Sequence, residues 1–187
     1  MNIWHDIDAE RVKDDDFIAV IEIQKGDKTK YELDKETGML ILDRVLFTST
    51  VYPANYGFIP LTYADDGDPL DVLVLCSERI KPLALVRCYP IGVISMIDGD
   101  KRDEKILAIP FGDPVYNGYR DIDVLPSHVL EEMKHFFKVY KSLEHQKTTI
   151  DETGGREQAL KIIKECRERY MKKFGKADVD QIELEID

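Results

Sequence analysis

The feature that most constrains this fold is a change of hydrophobic period two-thirds of the way along the chain. Up to about residue 109, apolar side chains come in short runs separated by turn signals, the pattern of β-strands. Strands are predicted at Phe17–Gln24, Thr29–Leu33, Met39–Phe47, Val51–Phe58, Asp71–Cys76, Leu83–Met96 and Lys105–Ile109. In the first of these, Glu22 shares a face with Ile18 and Val20. Asp34-Lys35-Glu36-Thr37-Gly38 reads as a hairpin-like turn. Many short strands with turns between them imply a closed barrel or a sandwich.

After Pro126-Ser127 the apolar positions become 129, 133, 136, 137, 140 and 143, the spacing of a helix. A break around Thr153-Gly154-Gly155 precedes a second helix, marked by Ala159, Leu160, Ile162, Ile163, Cys166, Tyr170 and Phe174 and stopped near Gly175. Residues 178–187 are acidic and are expected to form a short strand or a loose tail. No linker or repeat interrupts the 187 residues, so residues 1–187 are read as one domain with an acidic tail.

The formal net charge of −11 argues against nucleic acid or an anionic membrane as partner. Cys76, Cys88 and Cys166 are far apart, with no disulfide or zinc spacing, and imply reduced thiols in a cytoplasmic protein. The first residues lack a basic segment followed by an apolar one, so no signal peptide is expected. No apolar run approaches the roughly 20 residues that span a bilayer.

The densest chemistry lies in Asp66-Gly67-Asp68-Pro69-Leu70-Asp71, which runs into the apolar Val72-Leu73-Val74-Leu75. Carboxylates in such a loop bind hard cations such as Mg²⁺, while Gly and Pro specify a turn. A solvated turn is the plainer reading, but Asp71 opens a buried strand and its charge needs a partner. Pro69 and the lack of a closing Glu exclude an EF-hand. A second acidic group, Asp98, Asp100, Asp103 and Glu104, lies in the segment joining two strands. Lys105 shares a face with Asp103 if the strand has begun there. Lys30 and Glu32 point the same way on another strand, Arg44 sits in an apolar one, Tyr52 and Tyr56 bracket Pro53-Ala54-Asn55, and Tyr140-Lys141 end the first helix. Each is unremarkable alone; together, carboxylates, cations and phenols are the inventory for metal-assisted phosphoryl transfer. Neither a P-loop nor a Gly-rich dinucleotide loop is present. The residues therefore point to a Mg²⁺ enzyme acting on a small phosphate compound.

At these residues the chain resembles the soluble family I inorganic pyrophosphatases. The resemblance runs through Ile21-Glu22-Ile23, Lys30-Tyr31-Glu32, Asp43-Arg44, Tyr52 to Gly57, Asp66 to Val74, Asp98 with Asp103 and Lys105, and His135-Phe136-Phe137 followed by Tyr140-Lys141. It implies a β-rich α+β fold: a five-stranded closed β-barrel of the OB type with flanking helices, two of them C-terminal. It implies Mg²⁺-dependent hydrolysis of pyrophosphate to two phosphates by metal-activated water, with several Mg²⁺ per site and Mn²⁺ or Co²⁺ as substitutes. Carried over, Asp66, Asp71 and Asp103 would hold the tight metal, with Asp71 bridging to a second. Asp98 and Asp103 would take a metal arriving with substrate, Glu32 another, and Glu22 would act through metal-bound water. Asp68 would orient or deprotonate the attacking water. Lys30, Arg44, Tyr56, Lys105, Tyr140 and Lys141 would grip the phosphates, with Lys30, Arg44 and Tyr56 also serving catalysis and Tyr52 supporting them. A homo-oligomer, a hexamer, is implied as well. Gly99 departs from the family pattern, where many members carry a second carboxylate after Asp98. The competing readings are a non-catalytic OB-type binding module, opposed by the net charge, and another Mg²⁺ phosphohydrolase.

Overall fold

The computed structural model describes residues 2–99 and 101–175. In chain order the strands are β1 (Phe17–Ile23), β2 (Thr29–Leu33), β3 (Leu40–Val45), β4 (Asn55–Ile59), β5 (Leu70–Val74), β6 (Leu85–Asp98), β7 (Lys101–Pro110) and β8 (Thr148–Gly155). The helices are α1 (Ser127–Val139) and α2 (Arg156–Phe174). Among the described residues no helix is long and apolar enough to cross a membrane. The acidic stretch 178–187 lies outside the described residues, as does Asp100.

Five strands close into a ring in the order β1-β4-β5-β7-β6, because β6 also pairs with β1. Closure removes the open edges that a sheet would otherwise expose. Both faces of this ring are apolar. On one, Leu73, Ile94 and Leu107 pack with Met133, Phe136 and Phe137 of α1. On the other, Val72, Val93 and Ile106 pack with Ala159, Ile162, Ile163 and Cys166 of α2. Burial on both sides explains why β1 and β4 are buried at every position. β2 and β3 form a separate two-stranded sheet.

Three features differ from the sequence expectation. Residues 148–155 are a strand, β8, which adds to the ring along β6. The acidic segment after Asp98 is not a free loop. β6 extends to Asp98 and β7 begins at Lys101, so Asp103 is already on the strand and shares a face with Lys105. α1 ends at Val139, and residues 142–144 make a separate 3₁₀ turn, followed by His145 at a left-handed φ of 59°.

Two local devices position the site. Between Ile21 and Ile23, β1 bulges against β4, so Glu22 is the extra, unpaired residue. A bulge re-aims a side chain out of the regular alternation. Gly57 faces Ile21 across the same pair, where an added Cβ would stand 1.8 Å from the Val20 carbonyl oxygen. Only glycine permits this approach, and it fixes the neighbouring Tyr56.

Candidate active site

A cleft with a cavity volume of about 280 Å³ opens where β2, β4, β5, β7 and the end of α1 converge. Its described lining carries seven carboxylates, Glu22, Glu32, Asp66, Asp68, Asp71, Asp98 and Asp103, against four lysines, Lys30, Lys35, Lys105 and Lys141. Tyr56 and Tyr140 also line it.

The floor is set by register. β5 and β7 are parallel, with Asp71 directly opposite Lys105. Lys105 Nζ lies 2.7 Å from Asp71 Oδ2, 3.0 Å from both oxygens of Asp103 and 2.9 Å from the Tyr56 hydroxyl. Tyr56 in turn donates its hydroxyl proton to Asp71. Burial disfavours the Lys105 charge, but Asp103 and Asp71 outweigh it and hold its pKa well above the ordinary value. Tyr56 is raised well above the phenol range by burial first and by Asp71 second. Burial and then Asp71 push Glu22 up to about 8, although it accepts a 2.7 Å hydrogen bond from the Leu33 amide.

The Asp66–Asp71 loop is ordered by its own backbone. Gly67 sits at a left-handed φ of 96°, the Asp68 amide donates to Asp66 Oδ1 at 3.0 Å, and the Ala64 amide to the Asp68 carbonyl at 2.8 Å. The Asp66 pKa is raised, by desolvation first and then by Asp68, Asp71 and Asp103, with the Asp68 amide opposing. Asp103 is raised too, by burial and by Asp71 against the pull of Lys105. On the rim, Lys141 pairs with Asp98, Lys30 with Glu32, and Lys35 with Asp68.

Two of the sequence candidates do not line the cleft. Arg44 is held by Asp43 and by Glu144, its Nε 3.0 Å from Glu144 Oε1. Tyr52 is buried behind Tyr56, with ring centroids 5.4 Å apart, and packs on Phe136 at 4.8 Å; burial raises its pKa. Lys35 lines the cleft without having been a sequence candidate. It follows Asp34 in the β2–β3 turn, and nothing in its spacing distinguishes it from a surface lysine.

Among the described residues no three acidic, histidine or cysteine side chains converge as a metal ligand set, and lysines pair with Asp68, Asp71, Asp98 and Asp103. The donor chemistry nevertheless fits hard divalent cations. Every candidate ligand is a carboxylate oxygen, carboxylates outnumber lysines, and Asp66 is raised by burial first and then by the neighbouring Asp68, Asp71 and Asp103.

Ring and cleft together define a β-barrel protein with an acid-rich, lysine-studded cleft. The inorganic pyrophosphatase family profile matches residues 19–171. The chain is 46% identical over 171 residues to soluble inorganic pyrophosphatase 2 of Chlamydomonas reinhardtii, covering 91% of this chain and 89% of that one. It is 47% identical over 165 residues to the inorganic pyrophosphatase of Aquifex pyrophilus, covering 87% and 93%. The solved inorganic pyrophosphatase of Helicobacter pylori superposes with a TM-score of 0.83 at 40% identity, covering 86% of this chain and 96% of that one. That of Thermus thermophilus gives 0.81 at 36% identity, covering 83% and 91%. The chain belongs to the soluble family I inorganic pyrophosphatases, and its five-stranded ring is the OB-like barrel of these structures. Membership implies a divalent metal cofactor.

Proposed function

We propose that this protein hydrolyses inorganic pyrophosphate to two orthophosphates with several Mg²⁺ ions. The observation that carries the reading is the charge of the cleft: seven carboxylates facing four lysines around a phenol-lined floor. Alone, such a cleft repels a polyanion. With divalent cations it becomes a site in which phosphate is gripped from both sides. No sequence pattern for holding a nucleotide accompanies it.

Asp66, Asp71, Asp98, Asp103 and Glu32 would hold the cations, with Glu22 acting from the bulge. When bound, they supply neutralisation of the substrate charge and a source of acidified water. Asp68, half exposed at the mouth, would orient the attacking water and take its proton. That requires it to leave Lys35, whose ion pair is itself half exposed and so weakly held. Lys30, Lys105 and Lys141 donate to phosphate oxygens, with the hydroxyls of Tyr56 and Tyr140 adding neutral donors. Arg44 would join them by exchanging Glu144 for phosphate, and Tyr52 keeps the Tyr56 ring in place.

The same reading takes residues 1–187 as one functional unit acting in the cytoplasm, as the free thiols Cys76, Cys88 and Cys166 support. It includes assembly into a homo-oligomer, a hexamer, for which the exposed side chains of Ile41, Leu42, Val45 and Phe47 offer apolar surface. Sedimentation at working concentration tests the assembly.

The activity is tested by phosphate release from pyrophosphate, ATP and a sugar phosphate, each with Mg²⁺, Mn²⁺, Co²⁺ or a chelator. Pyrophosphate should be the preferred substrate, with Mg²⁺ giving the highest rate and chelator none. Equal rates on ATP would point to a broader phosphohydrolase.

A further inference from the structure

A second cleft, of about 380 Å³, shares no lining residue with the first. It lies where β6, the segment after β7 and the start of α2 meet, and is lined by Arg87, Tyr89, Phe111, Arg120 and Arg156, with Asp15 and Asp16. We propose that it is a binding site for a nucleoside phosphate.

The arginines carry the argument. In a chain with eleven more acids than bases, six of nine arginines pair with a carboxylate among the described residues. Arg120 and Arg156 pair with none among the described residues, and both face this cleft. Arg120 is fixed without charge neutralisation. Its guanidinium stands 4.5 Å from the Tyr89 ring centroid, and Nη1 donates to the carbonyls of Asn117 at 2.6 Å and Tyr119 at 3.1 Å. Arg156, the first residue of α2, makes one long side-chain bond, Nη1 to the Pro90 carbonyl at 3.3 Å. Its Nε and Nη2 meet no protein acceptor among the described residues. Two guanidinium groups with spare donors, one held against an aromatic face, form a recognition pair for a phosphate group.

The remaining walls go beyond phosphate. Phe111 is 37% exposed, with its ring 4.9 Å from Tyr89 and 4.8 Å from the Arg87 guanidinium. A planar base can stack on this ledge. Arg87 is already neutralised by Asp16, through Nε at 2.8 Å, so it offers a surface more than a charge. Asp15, exposed on the rim, accepts from ribose hydroxyls. Cation pair, aromatic ledge and acceptor are the three needs of a nucleoside phosphate, and the volume is within the range of small-molecule sites.

The test is calorimetric titration of the full chain, in chelator, with adenosine 5′-monophosphate, inorganic phosphate and adenosine as separate probes. The nucleotide should bind, more tightly than either fragment. Arg156→Gln, which removes a single long bond, should weaken it at least tenfold, and Arg120→Gln with Arg156→Gln should abolish it. Lys30→Gln and Lys141→Gln, in the first cleft, should leave nucleotide affinity unchanged. Pyrophosphate hydrolysis by Arg156→Gln should stay within twofold of wild type. No nucleotide binding at millimolar concentration, or binding that survives Arg156→Gln, overturns the site. Phosphate binding as tightly as the nucleotide overturns the nucleoside assignment. The readout is binding, so it stands or falls independently of pyrophosphate hydrolysis.

Discussion

Lys105 and Asp71 stand directly opposite one another across the parallel β5–β7 pair, with Nζ 2.7 Å from Oδ2. They are 34 positions apart in the chain. A parallel register brings them together on the cleft floor, and Asp103, two residues along β7, completes the cluster at 3.0 Å. The lysine is 2% exposed, so it has exchanged its hydration for these two carboxylates and Tyr56.

Removing Lys105 should therefore leave two carboxylates without a cation. Lys105→Met is expected to destabilise the metal-free protein by about 3–5 kcal/mol, the usual cost of stripping one partner from a buried ion pair. Added Mg²⁺ should recover part of that loss by supplying another cation. Urea unfolding in chelator and in Mg²⁺ measures both. An unchanged midpoint in chelator contradicts the pairing.

Gly57 permits the approach of β4 to β1. Gly57→Ala sets a methyl 1.8 Å from the Val20 carbonyl oxygen, against backbone rather than a movable side chain. We expect a loss of roughly 3 kcal/mol or more, the scale of severe overpacking. Circular dichroism melts check this, and a melting temperature within 2 °C, as an order-of-magnitude margin, contradicts it.

Acid stability should depend on Asp113, which is 4% exposed and joins the segment after β7 to Ser77. Burial pushes its pKa up, but the amides of Ser77 and Val115 outweigh this and hold it below the ordinary value of 3.8. A lowered folded pKa gives stability that is present above pH 3.8 and lost as pH falls through the folded value. Asp113→Ala should cost about 1–3 kcal/mol at pH 7, because it strips partners from buried donors. The gap from wild type should narrow below pH 4, as read by urea unfolding across that range.

The barrel strands were legible because burial on both faces writes apolar runs into the chain, as in Phe17–Ile23. The Asp66–Asp71 loop was legible because carboxylates, Gly and Pro cluster within six positions. β8 was not: Thr148–Gly155 is polar and ends in two glycines, and becomes a strand only by pairing with β6. The strand at Asp103 was hidden by charge, since the β6–β7 hairpin projects acidic residues where a loop would carry them. The position of Arg44 outside the cleft depends on Glu144, 100 residues away, which no local pattern reveals. Lys35 was invisible for the same reason, because its partner Asp68 is 33 positions distant.

Pyrophosphate hydrolysis should depend on Asp68, which pairs with Lys35 at the mouth of the cleft. The most direct test is steady-state phosphate release from pyrophosphate in saturating Mg²⁺ by wild type and by Asp68→Asn. The wild type should turn over and lose all activity in chelator. The variant should keep its KM within a few-fold while kcat falls by about 10²–10⁴, the range for a lost general base. Equal kcat in the two proteins, or a wild type inactive with every divalent metal, would contradict it.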